Sequence, residues 1–174
     1  PTSVLALLIC TTTALFVADL FSGLVHWGTD TWLVEVSWPR TILIAREHHL
    51  HPHHIVGYGL RDYLAFSAWP TVVAFAAPIL LLTVAVEPTA FVFVAVCVVE
   101  AVAVIMIFGT YAHRLGHRRT KIRMVRWLQR AHLLIDTRHH GVHHSDGHDR
   151  RYCVINGWAN HVCDAIGFWR ALER

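Results

Sequence analysis

Three apolar runs, Val4 to Val25, Tyr63 to Val86 and Thr89 to Ala112, are each long enough to cross a bilayer as a helix, which takes about 20 mostly apolar residues. Only Glu87-Pro88 separates the second from the third. So short a connection forces an antiparallel hairpin, and Tyr63 and Ala112 then emerge on the same side. The stretch from His26 to Asp62 has no further clear span and joins the second run directly, so Val25 emerges there too. The reading is an all-α integral membrane protein with about three transmembrane helices and a cap built from 26–62 and 113–174, forming a single domain over 1–174. Composition supports it: 55% of the 174 residues are apolar and 16% are charged, and the mean hydropathy is +0.43. That is too apolar for an ordinary soluble domain. Pro70 and Pro78 leave a kinked, re-entrant second run as an alternative. The first run has no basic residue before it and no clear cleavage motif after it, which predicts a retained span.

The 15 Lys and Arg all lie at or after Arg40, in the two cap segments, and none lies between the second and third runs. By the positive-inside rule the cap faces the cytoplasm, on the cytoplasmic membrane of a bacterium. The net charge is +3, and no basic stripe interleaved with aromatics accompanies it, so nucleic acid is excluded as a partner. Ile122 to Ile135 is loosely amphipathic, with Arg123, Arg126 and Arg130 between apolar residues. It reads either as a helix along the membrane interface or as one packed on the cap. Cys10, Cys97, Cys153 and Cys163 show neither a disulfide framework nor C-x-x-C spacing.

The chain carries 15 histidines, as many as its Lys and Arg together. His140-Gly141-Val142-His143-His144 is an H-x-x-H-H pattern, and on a helix its three imidazoles can converge on one small volume. His139 and His143 form a competing i, i+4 pair. His113 and His117 form another just after the third run, His48, His49, His51, His53 and His54 form a third cluster, and His26 stands at the membrane edge. Eight or more imidazoles are too many for one tetrahedral zinc and suit two metal ions of four to six ligands each. Residue type alone does not choose among iron, zinc and copper. No H-E-x-x-H is present, and neither are the Glu-x-x-His repeats of carboxylate-bridged bundles. Asp19, costly in an apolar run, and Asp30 are candidates to orient imidazoles; for Asp30 a loop or capping role is the alternative. Glu100, mid-run, is assigned to a helix contact or a substrate cavity.

Asp19, Ser22-Gly23-Leu24-Val25-His26-Trp27 with Asp30 and Trp32, then Arg46-Glu47-His48-His49, His113-x-x-x-His117, Arg138-His139-His140-Gly141-Val142-His143-His144, His148, Tyr152-Cys153 and Gly157-Trp158 through Trp169-Arg170 occur in an order and spacing that resemble the plasmanylethanolamine desaturase family over nearly the whole chain. That lipid desaturase family also includes the plastid desaturase acting on the palmitoyl chain of phosphatidylglycerol. The resemblance implies a lipid desaturase with a histidine-bound di-iron centre. It would take a membrane phospholipid as substrate, O2 as co-substrate and two electrons from a small donor, a ferredoxin or a b-type cytochrome. The reaction implied is removal of two hydrogens near the head-group end of a lipid chain, in the ether-lipid members turning a 1-alkyl ether into a vinyl ether.

On this resemblance the expected ligands are His26, His48, His49, His113, His117, His140, His143 and His144. His132, His139 and His148, with Asp19 and Asp30, come second, as ligands or as partners of ligands. The chain departs from the family pattern after His49, at His51-Pro52 and Gly59-Leu60-Arg61-Asp62, so either His53 or His54 replaces a ligand or the site has one fewer. A lipid hydroxylase sharing the same site is the nearest alternative. A non-enzymatic metal-binding or transport protein is a poorer one, because Asp19 and Glu100 are the only acids in the spans.

Overall fold

The structure is a computed structural model that describes residues 2–32, 47–87, 89–145 and 147–174. Arg40 and Arg46, and Pro88 of the expected tight connection, lie outside the described residues. Among the described residues there are helices and no strand.

The first helix, α1 (Thr2–Thr31), continues past the end of its apolar run and is about 45 Å long at 1.5 Å per residue. That exceeds a hydrocarbon core of about 30 Å. His26 and Asp30 therefore share one face of a rigid helix just beyond the most apolar part. A helical segment at 47–50 and α2 (His54–Gly57) follow, then α3 (Leu60–Val84). The Asp62 carboxylate accepts from the Gly59 amide at 2.8 Å and closes the start of α3, and Pro70 and Pro78 both lie within this one helix.

In α4 (Ala90–Ile107), Thr89 caps the start by accepting from the Val92 amide at 3.2 Å. The third run, expected to be one helix to Ala112, breaks at Phe108 and resumes as α5 (Gly109–His117). The tail folds into α6 (Arg123–Arg130), α7 (Thr137–Ser145), α8 (Trp158–Ala165) and α9 (Phe168–Leu172). By length and composition α1, α3 and α4 can each cross a membrane. Their outer surfaces expose Leu7, Leu8, Trp69, Leu81, Phe91 and Phe93, which suits contact with lipid.

One core lies between α1 and α4, where Ala14 and Ala18, one helical turn apart, meet Val102. Small side chains let the two backbones approach, which is how helices gain packing energy where no hydrophobic effect separates them from lipid. The other core joins the opposite face of α1 to the tail: Phe16, Leu20, Leu24 and Trp27 pack on Tyr152, Cys153, Ala159, Cys163 and Trp169. A Cβ on Gly23 would stand 2.5 Å from Cys153 Sγ and 2.8 Å from Trp169 Cη2, so only glycine admits this approach.

The tail is thus more than a cap beyond the spans. Residues 152–160 run back along α1 as far as Asp19, about 10 Å of helix below His26. Irregular backbone at that level needs every polar group satisfied inside the protein. Asp19 does this: Oδ1 accepts from the amides of Ile155, Asn156 and Gly157 at 3.0, 3.0 and 3.1 Å, and Oδ2 accepts from Ala159 at 3.0 Å. Ser22 Oγ accepts from the Val154 amide at 3.0 Å.

On α6 the amphipathic face turns Val125, Leu128 and Gln129 inward. Arg123, Met124, Arg126, Trp127 and Arg130 are exposed. Gln129 donates to the carbonyls of Leu115 and Ile135 at 3.3 and 2.9 Å, tying α6 to the end of α5 and the approach to α7.

Candidate metal centre

Four elements bring nine donors together. The end of α1 supplies His26 and Asp30, the 47–50 segment His48 and His49, α5 His113 and His117, and α7 His140, His143 and His144. Asp136 starts α7 by accepting from the Arg138 and His139 amides, both at 2.8 Å, which places the histidine-rich turns against α5. Gly116 lets α7 approach: a Cβ there would meet His140 Cβ at 3.1 Å and two of its ring atoms at 3.2 Å.

The donors form two groups, His48, His113, His117, His140 and His144 in one, and His26, Asp30, His49 and His143 in the other, each able to hold a metal ion. The H-x-x-H-H pattern therefore does not converge on a single point. His140 and His144 face the first group, and His143 turns to the second.

In the first group the Nε2 separations are 2.8 Å for His113–His140, 3.0 Å for His117–His140 and 3.1 Å for both His113–His117 and His140–His144. These cannot all be hydrogen bonds, because each Nε2 carries at most one hydrogen and His140 Nε2 faces three others. Imidazole nitrogens about 2.1 Å from a common metal stand about 3.0 Å apart when cis at 90° and about 3.4 Å apart at the tetrahedral angle. The observed contacts suit a coordination number above four.

In the second group, Asp30 Oδ2 lies 3.4 Å from His26 Nε2, 3.4 Å from His49 Nε2 and 3.6 Å from His143 Nε2. Both Asp30 oxygens, His26 Nε2 and His48 Nε2 are buried without a hydrogen-bond partner, which is how ligand atoms look when the ion is the missing partner. His26 Nδ1 donates to the Tyr152 carbonyl at 2.9 Å and His143 Nδ1 to the Arg150 carbonyl at 2.7 Å. A carbonyl only accepts, so each ring presents an Nε2 lone pair to the group.

Six of the imidazoles are pushed toward the neutral form. Burial, and then the neighbouring imidazoles, push His48, His113 and His140 far below the ordinary histidine value. Burial also takes His117 down to about 4 and His144 to about 2. His49 goes to about 3 by burial, against the opposing pull of Asp30. Neutral imidazole is the metal-binding form.

All eight expected ligands fall within these groups, and Asp30, expected second, joins them as a donor. His148 stacks on His49, with ring centroids 4.3 Å apart, beside the second group. Three expectations are corrected. Asp19 binds backbone amides and no imidazole, since it is committed to the tail. His139 turns away to Asn160 at 3.0 Å and Arg151 at 3.2 Å. His132 is exposed at the end of α6. His53 and His54 are also exposed and outside both groups, with His54 held by Glu47 at 2.9 Å. Glu100 is exposed on α4, away from the cavity described next.

A cavity of about 460 Å³ opens on the centre. Its walls are mostly apolar, with Phe21, Val25, Phe75 and Met106 among them, and His26, His48 and His113 lie at one end. Phe21 precedes His26 by five residues, about 8 Å along the unbroken α1, and Phe75 and Met106 line the cavity from α3 and α4, so it runs from the imidazoles into the span region. The carbonyls that hold His26 and His143, and Gly116, were missed from sequence: a carbonyl leaves no residue signature, and one glycine resembles any other.

A family model described as the lipid desaturase domain matches residues 15–174. The chain is 30% identical over 171 residues to plasmanylethanolamine desaturase 1 of Mus musculus, covering 90% of this chain and 60% of that protein. It is 28% identical over 160 residues to plasmanylethanolamine desaturase of Myxococcus xanthus, covering 90% and 56%. It is 29% identical over 158 residues to the chloroplastic fatty acid desaturase 4-like 2 of Arabidopsis thaliana, covering 90% and 54%. The chain thus spans little more than half the length of these relatives. No solved structure matches it. A donor set drawn from His26 to His144 and a domain match over residues 15–174 that takes in all of it lead to one conclusion: this chain belongs to the lipid desaturase family.

Proposed function

We propose that this chain is a single lipid desaturase domain, an O2-dependent oxidoreductase that introduces a double bond into a membrane lipid. The observation that carries the proposal is the apolar cavity running from the span region to His26, His48 and His113, where both donor groups meet it. His48, His113, His117, His140 and His144 would hold one iron, and His26, Asp30, His49 and His143 the other. The reaction balances as –CH2–CH2– plus O2, two electrons and two protons giving –CH=CH– and two waters. Bound iron with O2 supplies the oxidising power that an unactivated methylene requires, which zinc lacks.

The protein supplies positioning. Phe21, Val25, Phe75 and Met106 take a lipid chain and exclude water, leaving the head group at the membrane surface near the basic residues of the cap. Tyr152 and Arg150, through their carbonyls, hold His26 and His143 in the tautomer that binds metal. With the cap on the cytoplasmic side of a bacterial membrane, a ferredoxin or a b-type cytochrome can reach it.

The first choice of substrate is a 1-alkyl ether phospholipid yielding a vinyl ether, in keeping with the names of the mouse and Myxococcus relatives. The Arabidopsis relative's name favours an acyl lipid as the second reading. Lipid mass spectrometry with an acid-hydrolysis step, on cells expressing the chain or its His143→Ala and His144→Ala variants, tests both. An acid-labile lipid two hydrogens lighter, absent from the variants, supports the ether-lipid reading, and an acid-stable one supports the acyl reading. A hydroxylated product moves the activity to hydroxylation, and unchanged lipids in cells supplied with iron and an electron donor overturn the desaturase reading.

A further inference from the structure

We propose that Tyr152, Trp169, Trp27 and Trp32 form a relay that carries an oxidising equivalent from the metal centre to the protein surface, with Trp27 and Glu173 as the pair on which it settles. This rests on the oxygen-activating reading above.

The Tyr152 ring lies 4.9 Å from the His143 ring and 5.7 Å from the His26 ring, centroid to centroid. From Tyr152 to Trp169 is 5.0 Å, from Trp169 to Trp27 6.4 Å and from Trp27 to Trp32 5.4 Å. Tyr152 and Trp169 are 3% and 2% exposed and Trp32 is 63% exposed, so the chain of rings runs from the buried centre to the outside. Tyrosine and tryptophan are the side chains most easily oxidised by one electron at an aromatic ring, and neighbouring π systems in contact pass an electron readily.

The hydrogen bonds decide where the equivalent rests. A one-electron-oxidised phenol or indole is stable only once it loses its proton. The Tyr152 hydroxyl donates to the His148 carbonyl at 2.6 Å, too weak a base to keep a proton. Trp169 Nε1 is buried with no partner. Trp27 Nε1 donates to the Glu173 carboxylate at 3.1 Å, a base within reach of the indole proton, and Arg170 pairs with the other carboxylate oxygen.

When no lipid fills the cavity, Trp27 gives one electron through Trp169 and Tyr152 to the oxidising equivalent that O2 would supply at the two donor groups. Its indole proton moves to Glu173, leaving a neutral tryptophanyl radical. A soluble thiol or ascorbate at Trp32 returns the electron, and the proton goes back from Glu173 to the indole. Each cycle spares the ligand imidazoles one oxidation.

The test exposes the whole chain, reconstituted in lipid nanodiscs and loaded with ferrous iron, to O2 with and without a desaturable lipid. Freeze-quench electron paramagnetic resonance and peptide mass spectrometry are read beside iron content and lipid product. Without lipid, a neutral tryptophanyl radical and oxygen adducts on Trp27 and Trp32 are expected. Trp27→Phe should abolish the radical and move the adducts to Tyr152 and the histidine ligands, and Glu173→Gln should remove the neutral-radical signature. If Trp27→Phe loses iron, Trp32→Phe replaces it and should trap the radical on Trp27 for longer. Adducts distributed alike in the parent and the variants overturn the relay. Lipid product in the arm with lipid, together with no aromatic oxidation in the arm without it, overturns the relay and leaves the desaturase reading standing, while neither product nor oxidation in either arm overturns both.

Discussion

Removing the Asp19 carboxylate should unfasten the tail from the first span. Asp19 is fully buried and accepts from four backbone amides, three on one oxygen and one on the other. In Asp19→Ala those amides stay buried without acceptors, at about 1–3 kcal/mol each, or about 4–12 kcal/mol together. Net stabilities of about 5–15 kcal/mol leave little margin for that loss. Asp19→Asn keeps an acceptor for Ile155, Asn156 and Gly157 but turns an amide donor toward the Ala159 N–H, so its cost should be that of a single orphaned group, about 1–3 kcal/mol. Unfolding in detergent, followed by tryptophan fluorescence and paired with metal analysis, should rank the parent above Asn and Asn above Ala. The carbonyls that hold His26 and His143 belong to the same tail segment, so metal should leave the four-donor group before the five-imidazole group. Unfolding of Asp19→Ala within about 1 kcal/mol of the parent would refute this reasoning. So would metal loss at unchanged stability, which would place Asp19 among the imidazoles.

Four further outcomes are expected. Asp30→Ala removes the only carboxylate among the nine donors and should lower bound metal from two ions per chain to one; two retained ions would refute its role. Gly116→Val places a branched side chain against the His140 ring and should weaken the five-imidazole group while α5 stays helical, as metal titration with circular dichroism can show. Thr110→Trp should fill the cavity beside His113, abolishing lipid turnover with metal content unchanged, and full turnover would place the substrate elsewhere. Metal-free protein should lose stability as the pH falls. Burial holds His117 at about 4 and His49 at about 3, against about 6.5 when unfolded, so the unfolded chain takes up protons first. Their stabilising effect is complete above pH 6.5 and is lost between there and about pH 3–4; a flat melting profile over that range would contradict this.

Much of the site was legible in the sequence because helical spacing is local. His113 with His117, and His140 with His144, stand four apart and stay on one face of any helix that contains them. The assignment of His143 was not legible, because whether an i+3 neighbour joins its partner's ion or the next depends on what stands opposite, here His49 and Asp30. By sequence Asp30 suits a loop as well as a site, and it is the continuation of α1 through it that sets it beside His26. Asp19 stood out correctly as too costly to be idle, but its partners are amides 136–140 residues away, and an amide leaves no trace in residue type.

The sequence by itself determined the three apolar helices, the gathering of the histidines at one end of them and the ligand type they offer, because hydropathy over 20 residues and spacing over one helical turn are properties of contiguous chain. Only the tertiary structure decided how the donors divide into two groups, that the tail runs down beside α1 as well as capping it, and that an apolar cavity ends on three of the imidazoles. Each depends on contacts between segments up to 140 residues apart, and those are set by packing at Gly23 and Gly116 and by the buried carboxylate of Asp19.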